Sequence, residues 1–144
     1  MSGAPGVPEG FKPLARQSPV IALIGPLYAR GKGRDLALGL RAEARHCNLR
    51  GTVHGGILAT LADVALGYAL AFSTDPPTGA VTANLSLDYL STAKAGDWIE
   101  ARVEFQKMGK RLAFGNCYLT VGEERIARAS AVFVVTGQLE KNSR

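Results

Sequence analysis

The sequence predicts an α+β fold in which one long central helix is wrapped by a single antiparallel sheet of five to six strands. Three observations carry this. Residues 54–72 place Ile57, Leu58, Leu61, Ala65, Tyr68, Ala69 and Phe72 at helical spacings with almost no charge on any face, the pattern of a buried helix. Four strand-like runs follow between Gly79 and Thr136, joined by connectors short enough for antiparallel neighbours. Two strand-like runs precede the helix, and this order suits one helix packed on one sheet. A length of 144 residues fits a single domain with a core of its own.

Met1 to Ser18, which begins rich in Gly and Pro, reads as a flexible N-terminal arm. Ser18-Pro19 can open a short helix through Val20, Ile21, Leu23 and Ile24, with proline at its first position, and Gly25-Pro26 ends it. Strands are expected at Leu27–Arg30 and Arg34–Arg45, with Gly31–Gly33 as the turn between them. In the second, Leu36, Leu38 and Leu40 alternate with Ala37, Gly39 and Arg41. Asp75-Pro76-Pro77 stops the long helix, because proline lacks an N–H and disfavours a helical residue before it. The later strands are expected at Val81–Tyr89, Trp98–Lys107, Leu112–Thr120 and Arg125–Thr136. In Trp98–Lys107, Ile99, Ala101, Val103 and Phe105 face the core while Glu100, Arg102, Glu104 and Gln106 face solvent. The expected division is an arm at 1–18, one domain at 19–138 and a tail at 139–144.

A hydrophobic fraction of 47% with 20% charged residues argues against disorder. Cys47 and Cys117 are too few for a disulfide scaffold and lack a CxxC spacing, so they read as free thiols. The N-terminus does not resemble a signal peptide, and Asp63 interrupts the longest apolar run, so neither secretion nor a membrane span is expected. The expected location is the cytoplasm. A net charge of +5 and a pI near 9.5 favour an anionic partner. The cations are scattered and no helix-turn-helix or aromatic RNA-binding signature is present, so nucleic acid is not expected.

Asn48 to Ala69 reads NLRGTVHGGILATLADVALGYA. It resembles the active-site segment of PaaI-like hotdog acyl-CoA thioesterases, whose pattern is Asn, then Gly-Thr-X-His-Gly-Gly, then Leu-X-Asp further along the helix. The resemblance continues more weakly from Gly25 onward, at Tyr89-Leu90-Ser91 and at Gly109–Phe114. It implies a hotdog fold and hydrolysis of acyl- or aryl-acyl-CoA, with CoA as part of the substrate and neither cofactor nor metal. Carried over by position, it implies that Asn48 and Gly55 hold and polarise the thioester carbonyl and that Asp63 acts as general base or nucleophile. Thr82 falls where some members place a serine that orients water. His54 contacts the leaving sulfur or fixes its loop.

The same residues carry a physical reading. A helix opening at Gly55-Gly56 presents unpaired N–H groups at its positive end, and glycine lets a carbonyl approach the backbone closely, as an oxyanion hole requires. The competing reading is that the paired glycines serve tight helix–sheet packing. Asp63, among apolar neighbours, needs a partner or a raised pKa, and that partner could be purely structural. Gly55 and Asp63 are eight residues apart, roughly 12 Å along a helix. They cannot readily serve one carbonyl within one chain. If both act on one thioester they come from different subunits, so an active homodimer with the site at its twofold is expected. A dimer of dimers beyond it is expected from the resemblance, not from this spacing.

CoA phosphates are sought at Lys94, Lys110, Arg111 and Arg128. The Gly25–Gly33 stretch fails as a phosphate loop, because Pro26 and Gly33 stand where that motif needs Gly and Ser or Thr. His46, Cys47 and His54 are too small a set for a metal site. Leu58, Tyr68, Phe72 and Leu90 are the expected acyl-pocket residues. Two other functions compete. A hotdog hydratase or dehydratase pairs an acid with a nearby histidine, where Asn48 stands here. A non-catalytic acyl-CoA sensor would not need Asp63 for turnover.

Overall fold

The computed structural model describes residues 6–139. Its elements are β1 (Lys12–Pro13), α1 (Pro19–Ile24), β2 (Tyr28–Arg30), β3 (Ala37–Arg41), α2 (Gly55–Ala71), β4 (Thr78–Tyr89), β5 (Trp98–Met108), β6 (Leu112–Val121) and β7 (Glu124–Gln138). The strands form one antiparallel sheet in the order β1-β2-β3-β5-β6-β7-β4. The α+β class holds, with seven strands rather than five or six.

The extra strand comes from the segment read as a loose arm. Lys12 and Pro13 pair with Ala29 and Tyr28 of β2, and the Leu14 N–H donates to the Leu27 carbonyl at 2.9 Å. Phe11 is buried with its ring edge-on to Trp98, centroids 5.2 Å apart. The packed domain therefore reaches back to Phe11, and the expected boundary at residue 18 is too late. The apolar pair Phe11 and Leu14 supplies the burial that a Gly- and Pro-rich sequence hides. Ser18 caps α1 as expected, its hydroxyl accepting from the Ile21 N–H. Residues 140–144 of the expected tail lie outside the described residues.

The strand expected at Arg34–Arg45 is shorter, with a single 3-10 turn on each side, at Gly33–Asp35 and Ala44–His46. Its alternation is also masked, because both faces of β3 are covered. The Trp98 ring lies flat against Gly39, where an added Cβ would come within 2.0 Å of the indole. Only glycine admits that ring.

Leu58, Leu61, Ala62, Ala65, Leu66 and Ala69 of α2 are buried against an inner sheet face that includes Ile99, Ala101, Ala113, Cys117, Leu119 and Phe133. The opposite side of α2 is only half-covered, from Asp63 and Val64 through Gly67 and Tyr68 to Ala71. The helix is apolar all round yet buried on one side within one chain, since a single sheet can cover only one face. Among the described residues β4 forms one edge of the sheet, pairing with β7 alone. Among the described residues no helix is long and apolar enough to cross a membrane.

Cys117 sits on the inner face of β6, and burial pushes its thiol up from 9.0 to about 12. Two results are expected. Under native conditions a thiol reagent should modify Cys47 and not Cys117, one equivalent against two after denaturation. Because the raised folded value keeps the proton on, Cys117's contribution to stability is full below pH 9 and is lost as pH rises toward about 12. Urea midpoints across that range, compared between wild type and Cys117→Ala, check it.

Candidate active site

The chain enters α2 through a loop stitched by Asn48. Its Oδ1 accepts from the Arg50 and Thr52 N–H groups at 2.9 and 3.2 Å, and its Nδ2 donates to Thr52 Oγ1 at 2.9 Å. Behind the loop His46 is buried. Its Nδ1 accepts from the Glu43 N–H at 2.9 Å, so Nε2 carries the proton and donates to the Ile24 carbonyl at 2.6 Å. With both ring nitrogens engaged, His46 ties α1 to the active loop and has no lone pair for a metal. Among the described residues no cluster of three or more His, Cys, Asp or Glu has metal-binding geometry.

His54 takes the N-cap position of α2 with an exposed ring that makes no capping bond. Its carbonyl accepts from Ile57 and Leu58, while the Gly55 and Gly56 N–H groups have no acceptor among the described residues. These are the orphan donors at the positive end of the helix dipole. The two glycines differ. A Cβ on Gly55 would press on the Tyr89 ring at 3.2 Å, whereas one on Gly56 meets nothing within 4 Å. Gly55 is thus held by packing on its Cα side, while the space beside the Gly56 Cα is open. Tyr89 itself donates to the Gly55 carbonyl at 2.8 Å. Tyr89 is not among the expected site residues, although it continues the inward phase of Leu85 and Leu87 along β4.

Asp63 lies two turns along, half-buried, with its Oδ1 accepting from Thr82 Oγ1 at 2.6 Å. The side chains meet because β4 carries a register shift between Thr82 and Asn84 against β7, and a bulge re-aims the residues beside it. Asp63 and Thr82 are therefore brought together, nineteen residues apart in sequence. Thr82→Val should keep the shape and remove the hydrogen bond. A bond to a charged group is worth about 1.5–3 kcal/mol, so turnover dependent on Asp63 should fall about tenfold or more, measured as kcat.

Asp63 and Thr82 line a groove of about 470 Å3 that runs along α2 past Gly67, Tyr68 and Phe72, with Arg16 and Ile21 of the N-terminal segment on its other wall. Of the expected pocket residues, Tyr68 and Phe72 line this groove, Leu58 is buried in the core and Leu90 is exposed outside it. Burial pushes the Tyr68 phenol up, against the lowering charge of Arg16, and its hydroxyl donates to the Arg16 carbonyl. Asn48 and His54 instead border a shallow depression of about 560 Å3 with Leu49 and Arg50. The helix N-terminus and the Asp63–Thr82 pair thus border two separate depressions of the one chain.

The candidate phosphate contacts are dispersed. Lys94 adjoins the Asn48–Thr52 loop through a bridge to Thr52. Lys110 and Arg111 are exposed in the β5–β6 hairpin. Arg128 lies on the outer sheet face, its Nε donating to Asp88 Oδ2 at 2.9 Å.

The sequence model of the thioesterase superfamily matches residues 50–127. A Pseudomonas aeruginosa protein, provisionally named an esterase, is 50% identical over 128 residues, spanning 88% of this chain and 96% of that one. The chain belongs to the thioesterase superfamily. Mouse acyl-coenzyme A thioesterase 13 is 37% identical over 81 residues, 56% of this chain and 57% of that protein. Among solved structures, the Escherichia coli PaaI protein of the phenylacetic acid degradation operon superposes with a TM-score of 0.77 at 20% identity, covering 84% and 86% of the two chains. A mutant of the phenylacetic acid degradation protein PaaI from Thermus thermophilus gives 0.72 at 25% identity, covering 81% and 98%. The fold of this thioesterase-superfamily chain is the expected hotdog. Its family match contains Gly55, Asp63 and Thr82 and leaves Asn48 and Arg128 outside.

Proposed function

We propose that the protein hydrolyses acyl-CoA thioesters to the free acid and CoA, as a homodimer with each site shared between subunits. The observation that carries this reading is the Asp63–Thr82 pair at the side of an apolar groove, in a chain whose helix also offers two unpaired N–H groups at Gly55 and Gly56. The named activity of the mouse relative supports the CoA thioester as substrate.

In this reading the carbonyl oxygen sits at the Gly55 and Gly56 N–H groups of one subunit, with the second Nδ2 proton of Asn48 beside it. Asp63 of the other subunit, held by Thr82, removes a proton from the attacking water. The tetrahedral oxyanion is stabilised by the helix terminus, then collapses and expels the CoA thiolate, which takes up a proton to leave as the thiol. His54, exposed at the N-cap, stands on the leaving-group side. Lys94 of one subunit and Lys110 and Arg111 of the other are assigned to the CoA phosphates. Arg128, which pairs with Asp88 on the outer face of the sheet, is left out of this assignment.

Support for the dimer comes from the half-covered apolar face of α2 and the free edge of β4. At Gly67 an added Cβ would meet nothing within 4 Å, so a second helix can approach closely there. A further pairing of dimers is assigned to the outer sheet face, where Leu112, Phe114 and Val134 are exposed. The test is CoA release from a panel of aliphatic and aromatic thioesters, run with a solution mass. Hydrolysis by a dimer or tetramer is expected; no release from any thioester, or full activity of a strict monomer, overturns the reading.

A further inference from the structure

Resting on that assignment of Asp63, we propose that the acyl group lodges beneath the N-terminal segment Lys12–Arg16, in a second cavity that makes the site prefer extended apolar acyl chains over acetyl. The cavity measures about 310 Å3, and its walls include Leu14, Ala15, Ala29, Leu36, Tyr68 and Phe72. That volume lies at the lower end of small-molecule sites. It shares Arg16, Tyr68 and Phe72 with the groove beside Asp63. The two rings, centroids 6.0 Å apart, are therefore the partition between the carboxylate and the cavity.

A chain leaving a carbonyl near Asp63 has a path toward the partition that is apolar on its helix side, with Arg16 on the other wall. Val64, Gly67 and Ala71 line the groove along α2, and the space over Gly67 is open, since an added Cβ there would meet nothing within 4 Å. From Asp63 to Phe72 is roughly 13 Å of helix, room for a chain of several methylenes. The roof is anchored rather than loose. Phe11 packs on Trp98, Leu14 is buried with its N–H bonded to Leu27, and the Tyr68 hydroxyl is bonded to the Arg16 carbonyl. Among the described residues no carboxylate lines the cavity, and its charged members, Lys12, Arg16 and Lys32, are exposed at its margin. Each methylene removed from water should strengthen binding about fourfold.

The margin cations could instead meet the CoA moiety, and the test separates the two. Binding of the stable thioethers S-ethyl-CoA and S-octyl-CoA to the full-length protein is measured by calorimetry, so that the readout does not depend on turnover. Wild type is expected to bind the octyl ether at least tenfold more tightly. Ala15→Trp, at an exposed position on the cavity wall, should lose most of that preference while S-ethyl-CoA binding stays within twofold. Ala29→Phe fills the same space from β2 and should behave alike. Equal loss for both ethers would place CoA in the cavity, and unchanged preference in both folded variants would leave it unused; either overturns the proposal, as does a wild type that binds the two ethers equally. Chain-length preference without hydrolysis would instead refute the thioesterase reading and leave the cavity assignment standing.

Discussion

Asp63→Asn is expected to lower kcat by about a hundred- to ten-thousand-fold, the range for removing a positioned general base. The amide keeps the size and can still accept from Thr82, so the local packing persists while the base is lost. Asp63 is half-buried and makes no ion pair among the described residues, so no stranded countercharge should destabilise the variant. A thermal midpoint close to wild type with near-zero CoA release is the expected pair of results. A variant as fast as wild type would remove Asp63 from the chemistry.

Gly56→Trp is expected to have an effect of similar size from the opposite half-site. Losing one oxyanion donor typically costs about a hundred- to a thousand-fold in kcat, and a bulky side chain at Gly56 denies the carbonyl its approach to the helix N-terminus. The fold should tolerate it, because an added Cβ meets no atom of the same chain within 4 Å. The same change at Gly55 would be harder to interpret, since the Tyr89 ring already fills that space. Near-native circular dichroism with CoA release at least a hundredfold down is the outcome that fits. An active Gly56→Trp enzyme would show that the carbonyl binds elsewhere.

Much of this site was legible in the sequence because its signals are local. The run from Asn48 to Ala69 places the glycines at the start of α2 and Asp63 within it, and the helix spans Gly55–Ala71 as the apolar spacing requires. The strands β5 and β6 follow their alternation closely. What escaped depends on contacts between distant segments. The Lys12–Pro13 strand is too short to show a period, and its place in the sheet rests on Phe11 and Leu14 meeting partners far along the chain. Residues 1–18 look like an arm in the sequence, and this hides Arg16, which walls the groove. Tyr89 reaches the Gly55 carbonyl only because β4 crosses the helix N-terminus. Asn48 was assigned to the substrate, and the structure shows most of its bonding capacity spent on its own loop.

The central claim is that each site joins the α2 N-terminus of one subunit to Asp63 of another. It is tested most directly by mixing the two inactive variants, Asp63→Asn and Gly56→Trp, under conditions that exchange subunits. In a mixed dimer one site receives the intact N-terminus from the first chain and the intact Asp63 from the second, while the other site receives both defects. Random exchange should therefore restore about a quarter of wild-type activity. Two variants that exchange fully, by native mass spectrometry, and yet restore nothing would contradict the shared site.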